Sequence, residues 1–455
     1  MKNKSRLLLI AILCGLASAS CKKFTEVGPP KNQLVASKVF ADSANANSAI
    51  AGIYVDMYQS FGFAFASGGL TAYPGYSADE FAQNSNDADM NQFFDDKIDI
   101  NNSYNAILWS SAYKYIYDAN ACIEGLNGNS KMSPTAKASL TGEARQIRAF
   151  LYFDLVNLYG QVPLVRVTDY RITQSQPNAP IDSIYAQIIT DLSFAQANLP
   201  KNNKAERANY YSASSLLAKV QLYRKNYQAA ENAANLVINS GNYHLESDPN
   251  NVFLAGSSEA IWKIIPVFPG FETWEGYNFV PSDPTAAPQY VLNNSLVNSF
   301  EAGDLRKADW IASNTISGIS YPYPYKYKAA TTSGAPTENY MLIRLAEVYL
   351  IRAEARADQN NLSGAISDIN TVRNRAGLPN LIATDQGNVL LAIEKERQSE
   401  MFCEWGNRWF DLIRTNRADA VLQPIKPNWS HNSILYPFPA VEIKSNPALK
   451  QNPGY

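Results

Sequence analysis

Three carboxylates, Glu396, Glu400 and Glu404, recur at four-residue spacing. A helix would stack them on one face. Paired carboxylates of this kind can serve glycoside hydrolysis, one as acid and one as nucleophile or base. Arg397, Arg408 and Arg414 lie among them, however. Guanidinium groups bind carboxylates in strong, often bidentate pairs. The cluster is therefore read as structural, with those arginines neutralising the carboxylates and holding helices together. Asp87-Ala88-Asp89-Met90-Asn91 opens like a calcium loop, but Gln92 stands where the sharp turn needs Gly, and Ile98 where a bidentate Glu belongs. It is read as a polar surface loop. The two histidines, His244 and His431, are far apart, and HExxH, GxSxG, GxGxxG, CxxC and phosphate-loop patterns are all missing. No catalytic residue, metal or cofactor is expected. The residues favour binding over catalysis.

The remaining chemistry is at the N-terminus. Lys2, Lys4 and Arg6 precede an apolar run from Leu7 to Leu16, then Ala17-Ser18-Ala19-Ser20 and Cys21. This is a signal peptide with its cleavage site directly before a cysteine. The pattern matches a lipobox except that Ser18 replaces the usual Leu. Residues 1–20 are expected to be removed and Cys21 acylated, with residues 21–33 as a leash. The apolar run is shorter than the roughly 20 residues a membrane span needs. Losing Lys2, Lys4 and Arg6 takes the formal net charge from −2 to −5. With no basic patch, nucleic acid is not an expected partner. Cys14 leaves with the signal, so Cys122 and Cys403 are the only other thiols. In a chain able to bury a large core they are expected to be buried and unpaired.

The elements that must position any site are mainly helical. Apolar spacing predicts helices over 34–60 and 105–126, separated by a Gly- and Phe-rich break at 61–76. Ser133-Pro134 opens another, which Gly160 ends after Tyr159. Asp182 is expected to cap the next, ending near Leu199-Pro200. Residues 216–238 and 351–373 resemble each other at an offset of 135: Ala218 aligns with Ala353, Asn226 with Asn361 and Ala230 with Ala365. That is the tetratricopeptide-like helix-turn-helix pattern. Between these pairs, 246–340 is rich in Pro, Gly and aromatic residues, and a long irregular stretch inside a compact protein is usually functional.

Several segments, in order, carry a family resemblance. They are Cys21 to Phe24 with Ala51-Gly52-Ile53-Tyr54, GEARQIRAFLYFDLVNLYGQVPLV at 142–165, and YAQIITDLSFAQANLP at 185–200. SFEAGDLRK at 299–307, IRLAEVYLIRAEARA at 343–357 and INTVRNRAGL at 369–378 follow. EWGNRWFDLIRT at 404–415 and LYPFPAVEIKSNPALKQNPGY at 435–455 complete the set. The chain resembles the SusD/RagB family from Cys21 to Tyr455. The resemblance implies a mostly α-helical SusD-like fold with tetratricopeptide-like pairs and long irregular ligand loops. Its helical N-terminal region would cover 34–245 and its C-terminal region 246–455, the two forming one compact unit. It also implies a cell-surface lipoprotein on the outer membrane, anchored by lipid on Cys21. Such a protein hands oligosaccharides, or in some members peptides, to a SusC-like TonB-dependent transporter, without catalysis or a cofactor. Lys22 and Lys23 stand where acidic residues often follow the cysteine of surface-exported members, with Glu26 only later.

In this reading Arg145, Arg148, Tyr152, Arg352, Glu354, Glu396 and Arg408 are scaffold, and Trp109, Trp405 and Trp409 are core. Ligand is expected at loops 71–95 and 266–290. Tyr73, Tyr76, Phe93, Phe94, Trp274 and Tyr277 would stack on sugar rings, and Asp79, Asn84, Asn86 and Glu275 would bond hydroxyls.

Overall fold

A computed structural model describes residues 39–59, 63–128, 131–383 and 385–455. The signal segment, Cys21 and the leash lie outside the described residues.

The N-terminal region is built from helices α1 (Ser43–Gln59), α2 (Leu70–Ser77), α3 (Ala88–Phe94), α4 (Ser103–Asn127), α5 (Pro134–Tyr159) and α6 (Ile181–Asn198). Two of the long helices begin on side-chain caps. Asn102 accepts the amide of Asn105, and Ser133 accepts that of Ala136 with Pro134 at the first helical position. Gly160 ends α5 at φ +71°, a conformation that favours glycine. Asp182 does not cap α6: Pro180 holds that position, and Asp182, in the first turn, pairs with Arg224 at 2.6 Å. The Gly- and Phe-rich segment is also more ordered than its composition suggests. Phe65–Gly69 forms a π turn running into α2, which is buried throughout despite Pro74. Only glycine fits at Gly69, where a Cβ would lie 2.4 Å from the carbonyl oxygen of Phe63.

Two helical hairpins follow the predicted offset. The first is α7 (Tyr210–Tyr223) with α8 (Tyr227–Ile238). The second, α12 (Leu345–Asp358) with α13 (Leu362–Arg375), begins 135 residues after the first in both of its helices. Even the connecting turns match: Lys225 and Asn360 have φ of 58° and 62°, and Asn226 and Asn361 share φ near −88° and −85°. Ala218, Ala353, Ala230 and Ala365 are fully buried, which lets the paired backbones approach closely. Arg352 and Arg356 of α12 reach Asn235 and Glu231 of α8 at 2.7 and 2.8 Å, joining the hairpins into one array.

The segment between them holds β1 (Ala260–Ile264), α9 (Trp274–Phe279), α10 (Asn294–Ser299), α11 (Leu305–Trp310), β2 (Ile311–Ile316), β3 (Ile319–Pro324) and β4 (Tyr340–Arg344). β1 pairs antiparallel with β4, and β2 with β3 through a turn at Ser317-Gly318, both at positive φ. Beyond the second hairpin come α14 (Gln386–Met401), α15 (Asn407–Arg414), α16 (Ala418–Leu422) and α17 (Ala440–Ser445). One hydrophobic core runs from Phe40 to Phe438 through both halves, and it includes Trp109, Trp405 and Trp409. Cys122 and Cys403 are buried and unpaired. Among the described residues, no helix is long and apolar enough to cross a membrane.

Candidate ligand-binding loops

The carboxylate cluster comes first, because it decides between catalysis and scaffold. All three carboxylates are buried, but only Glu396 and Glu400 lie on α14; the helix ends at Met401, so Glu404 follows in the turn beyond it rather than on the same helical face. Their partners are not those expected from sequence proximity. Arg306 donates to Glu396 at 2.6 Å and to Glu400 at 2.9 Å. Arg344 bonds Glu400 at 2.5 Å and Glu404 at 2.8 Å, and Arg375 also reaches Glu400. Lys326 donates to Glu404 at 2.5 Å, while Asp304 and Glu259 complete the balance against Arg306 and Arg375. Arg397, Arg408 and Arg414 instead serve Asp411, Asp79 and Glu354. Burial alone would raise the Glu400 carboxyl, but Arg375, Arg344 and Arg306 hold it well below the usual range. A buried carboxylate locked ionised among guanidiniums cannot deliver a proton at neutral pH. Arg306, Arg344, Arg375 and Glu404 come from four different segments that carry the family resemblance. Their chemistry is internal bracing.

The scaffold assignments hold beyond the network. Arg148 makes a two-pronged pair with Asp191 at 2.8 and 2.9 Å, joining α5 to α6. Arg145 lies over the Phe194 ring, its centroid 4.1 Å away. Tyr152 donates to the Val165 carbonyl at 2.8 Å. Arg352 pairs with Asp368 at 2.7 Å.

Most of the stacking candidates turn out to be supports. Tyr73 and Phe93 are fully buried and stack on each other at 4.8 Å. Tyr76 is 1% exposed, wedged between Phe81 and Tyr290. None of the three presents a face to a ligand. Tyr73 and Tyr76 lie on the buried helix α2, which the glycine-rich composition had disguised as a loop, and Phe93 lies on α3. Phe94 is half-buried beneath the Lys426 ammonium, 4.2 Å from its ring centre. Trp274 is also an anchor: its Nε1 donates to the Tyr58 carbonyl at 2.5 Å, and its ring packs on Tyr58.

Two polar candidates are likewise committed to the interior. Asp79 forms a two-pronged ion pair with Arg408, both bonds 2.8 Å. Glu275 is 1% exposed and accepts from Thr71 at 3.1 Å. Burial pushes its carboxyl up to about 7. A ligand hydroxyl reaches neither.

What remains accessible is a smaller set. Tyr277 is 45% exposed and meets Phe271 and Trp274 edge-on at 5.1 and 5.8 Å. Ile265 and Val267, earlier in the same irregular segment, are 40% and 42% exposed. The signal for Phe271 was present in the sequence as Phe268-Pro269-Gly270-Phe271, where Gly270 turns at φ +87°. Asn86 is exposed; half-buried Asn84 donates to the Pro288 carbonyl at 2.8 Å.

The structure ties the first expected loop to residues 291–293, just past the end of the second. Phe81 bridges to Leu292, Ala82 donates to the Val291 carbonyl, and Asn293 donates to the Glu80 carbonyl at 2.8 Å. Beneath them Phe63, Phe81, Phe279 and Tyr290 form one ring cluster. Asp87 caps α3 through the amides of Asp89 and Met90 rather than opening a calcium loop, and Asp89 accepts from Ser103. Helix α9 sends Phe279 into this ring cluster and Tyr277 out to solvent.

Comparison with known proteins agrees with this architecture. The sequence model described as "SusD family" matches residues 267–455, and one described as "Starch-binding associating with outer membrane" matches 23–222. The chain belongs to the SusD/RagB family. Among SusD-like relatives, protein P25 of Formosa agariphila is 25% identical, over 98% of this chain and 99% of its own. The crystal structure of a SusD superfamily protein from Bacteroides vulgatus superposes with a TM-score of 0.81 at 21% identity, covering 91% of this chain and 99% of that one. Surface glycan-binding protein A from Bacteroides fluxus gives 0.75 at 22% identity, covering 90% and 100%. The SusD-like fold is thus shared across the whole body of the protein.

Proposed function

We propose that this chain is a lipid-anchored outer-membrane protein that captures oligosaccharides and delivers them to a SusC-like TonB-dependent transporter. The observation that carries the reading is the exposed Tyr277 ring, which meets half-buried Phe271 and buried Trp274 edge-on. Sugar rings have apolar faces that pack on aromatic side chains, and hydroxyls that bond amides. Tyr277 supplies the first kind of contact, and Asn84 and Asn86 the second. The rigid backing limits the ordering cost of binding. A relative named for surface glycan binding supports the ligand class. The family description supports the membrane.

The anchor follows from Cys21 and its signal. Three acyl chains exceed the two signals that stable anchoring takes. Tethering beside the transporter raises the effective concentration of each for the other. The test is a glycan array with protein lacking residues 1–21, followed by titration of any positive glycan into the Tyr277→Ala variant. A loss of about tenfold, or 1.4 kcal/mol, is expected. Binding of peptides with no glycan binding would replace the ligand class while keeping the architecture.

A further inference from the structure

Away from those loops, a cleft of about 440 Å³ opens between the first hairpin, the second hairpin and α14–α15. That volume lies within the range of small-molecule sites, roughly 300–1,000 Å³. One wall is apolar and aromatic, from Tyr223, Tyr227, Leu390 and Leu391. The other is charged: Arg397 and Arg414 alternate with Asp411 and Glu354.

The charged wall is incompletely satisfied. Arg397 is 2% exposed and donates through Nε to Asp411 at 2.6 Å, but Nη1 and Nη2 have no acceptor. The Tyr223 hydroxyl, in the same lining, has no partner either. Burial pushes its pKa well up, so it stays a neutral donor. Leaving a buried donor unsatisfied costs about 1–3 kcal/mol, and more for a charged group.

The lining also indicates what would satisfy these donors. Lys225, Arg397, Arg414 and Arg417 balance Glu354, Asp358, Glu394 and Asp411 in formal charge. A further carboxylate or phosphate would upset that balance, and so would a cation. A neutral molecule with oxygen acceptors and an apolar face fits the aromatic wall and the unpaired donors together.

We propose that this cleft is a second binding site, for one or two neutral sugar units. The proposal shares its ligand class with the function proposed above but uses none of the same residues. The hairpin array would then hold a glycan at a point remote in sequence from the loops, giving the protein two attachment points on one chain.

The test uses the soluble protein, with cellobiose as the neutral probe and glucuronate as the anionic one. Crystals soaked in cellobiose should show a sugar in the cleft with an oxygen in hydrogen-bond distance of Arg397 Nη1 or Nη2. In a Tyr277→Ala background, which removes the loop contact, saturation-transfer NMR should still detect cellobiose. Adding Leu391→Trp should weaken that signal at least about tenfold. Leu391 is 53% exposed, so the change leaves folding intact. Tyr223→Phe, which removes only the hydroxyl, should weaken it less. Water alone on Arg397 in soaked crystals would overturn the proposal, as would an unchanged signal in Leu391→Trp. Binding of glucuronate in place of cellobiose would overturn the neutral class. Loss in Leu391→Trp with no effect of Tyr277→Ala would sink the loop site instead and leave this one standing.

Discussion

Replacing Glu400 with Gln keeps the shape of the side chain and removes one charge from the centre of the buried network. Glu400 is fully buried and faces Arg306, Arg344 and Arg375. The amide offers one acceptor oxygen where the carboxylate had two, and its NH2 points at guanidinium donors. Removing one partner of a buried ion pair typically costs about 3–5 kcal/mol, because the others stay charged and uncompensated. Unfolding entropy of about 2.1 cal/mol/K per residue gives roughly 0.9 kcal/mol/K for a chain of this length. Glu400→Gln should therefore lower Tm by about 3–6 °C in differential scanning calorimetry at neutral pH. The sign with pH follows from the lowered carboxyl. Its contribution is present above the unfolded value of 4.5 and fades as pH falls through the lower folded value. The wild-type and variant curves should converge in acid. A Tm within about 1 °C of wild type at pH 7 would refute the view that this network braces the fold.

Trp274→Phe loses the bond to the Tyr58 carbonyl while keeping most of the ring, so it should cost about 1 kcal/mol in urea unfolding and leave glycan affinity within about twofold. Glu275 moves oppositely to Glu400. Its folded pKa, raised to about 7 by burial, makes it a group that destabilises the fold as pH rises from 4.5 toward 7, because the folded state holds the proton longer. Glu275→Gln should flatten that part of the stability–pH profile, measured by thermal unfolding between pH 5 and 8. Cys21→Ala should shift the protein from the outer-membrane fraction to the periplasm. Continued fractionation with the outer membrane in cells lacking the partner transporter would contradict the anchor.

The scaffold was legible because its signals are local. Ser133-Pro134 and Gly160 bounded α5, and the alanines at an offset of 135 marked the two hairpins. The structural reading of Glu396, Glu400 and Glu404 also held, but their partners did not follow from sequence. Arg306 and Arg344 lie 90 and 56 residues away from their acceptors, Glu396 and Glu400, and only the fold brings them in. The site was least legible. Aromatic residues near glycines look the same in sequence whether they face a ligand or a core. Tyr73 and Tyr76 went inward because Gly69 permits a backbone approach that buries α2, and Phe93 of α3 stacks on Tyr73. Trp274 and Tyr277 are three positions apart on one short helix, yet one is 6% exposed and the other 45%. Helix phase alone does not say which side faces the core when both neighbours are aromatic.

The most direct test is calorimetric titration of a glycan that binds the soluble protein into wild type, Tyr277→Ala and Tyr73→Phe. Tyr277 should lose about tenfold in affinity with Tm unchanged, since its ring is half in solvent. Tyr73→Phe should bind as wild type, because its buried ring only supports the loops. Equal affinity of Tyr277→Ala and wild type for every glycan that binds would contradict capture at this ring.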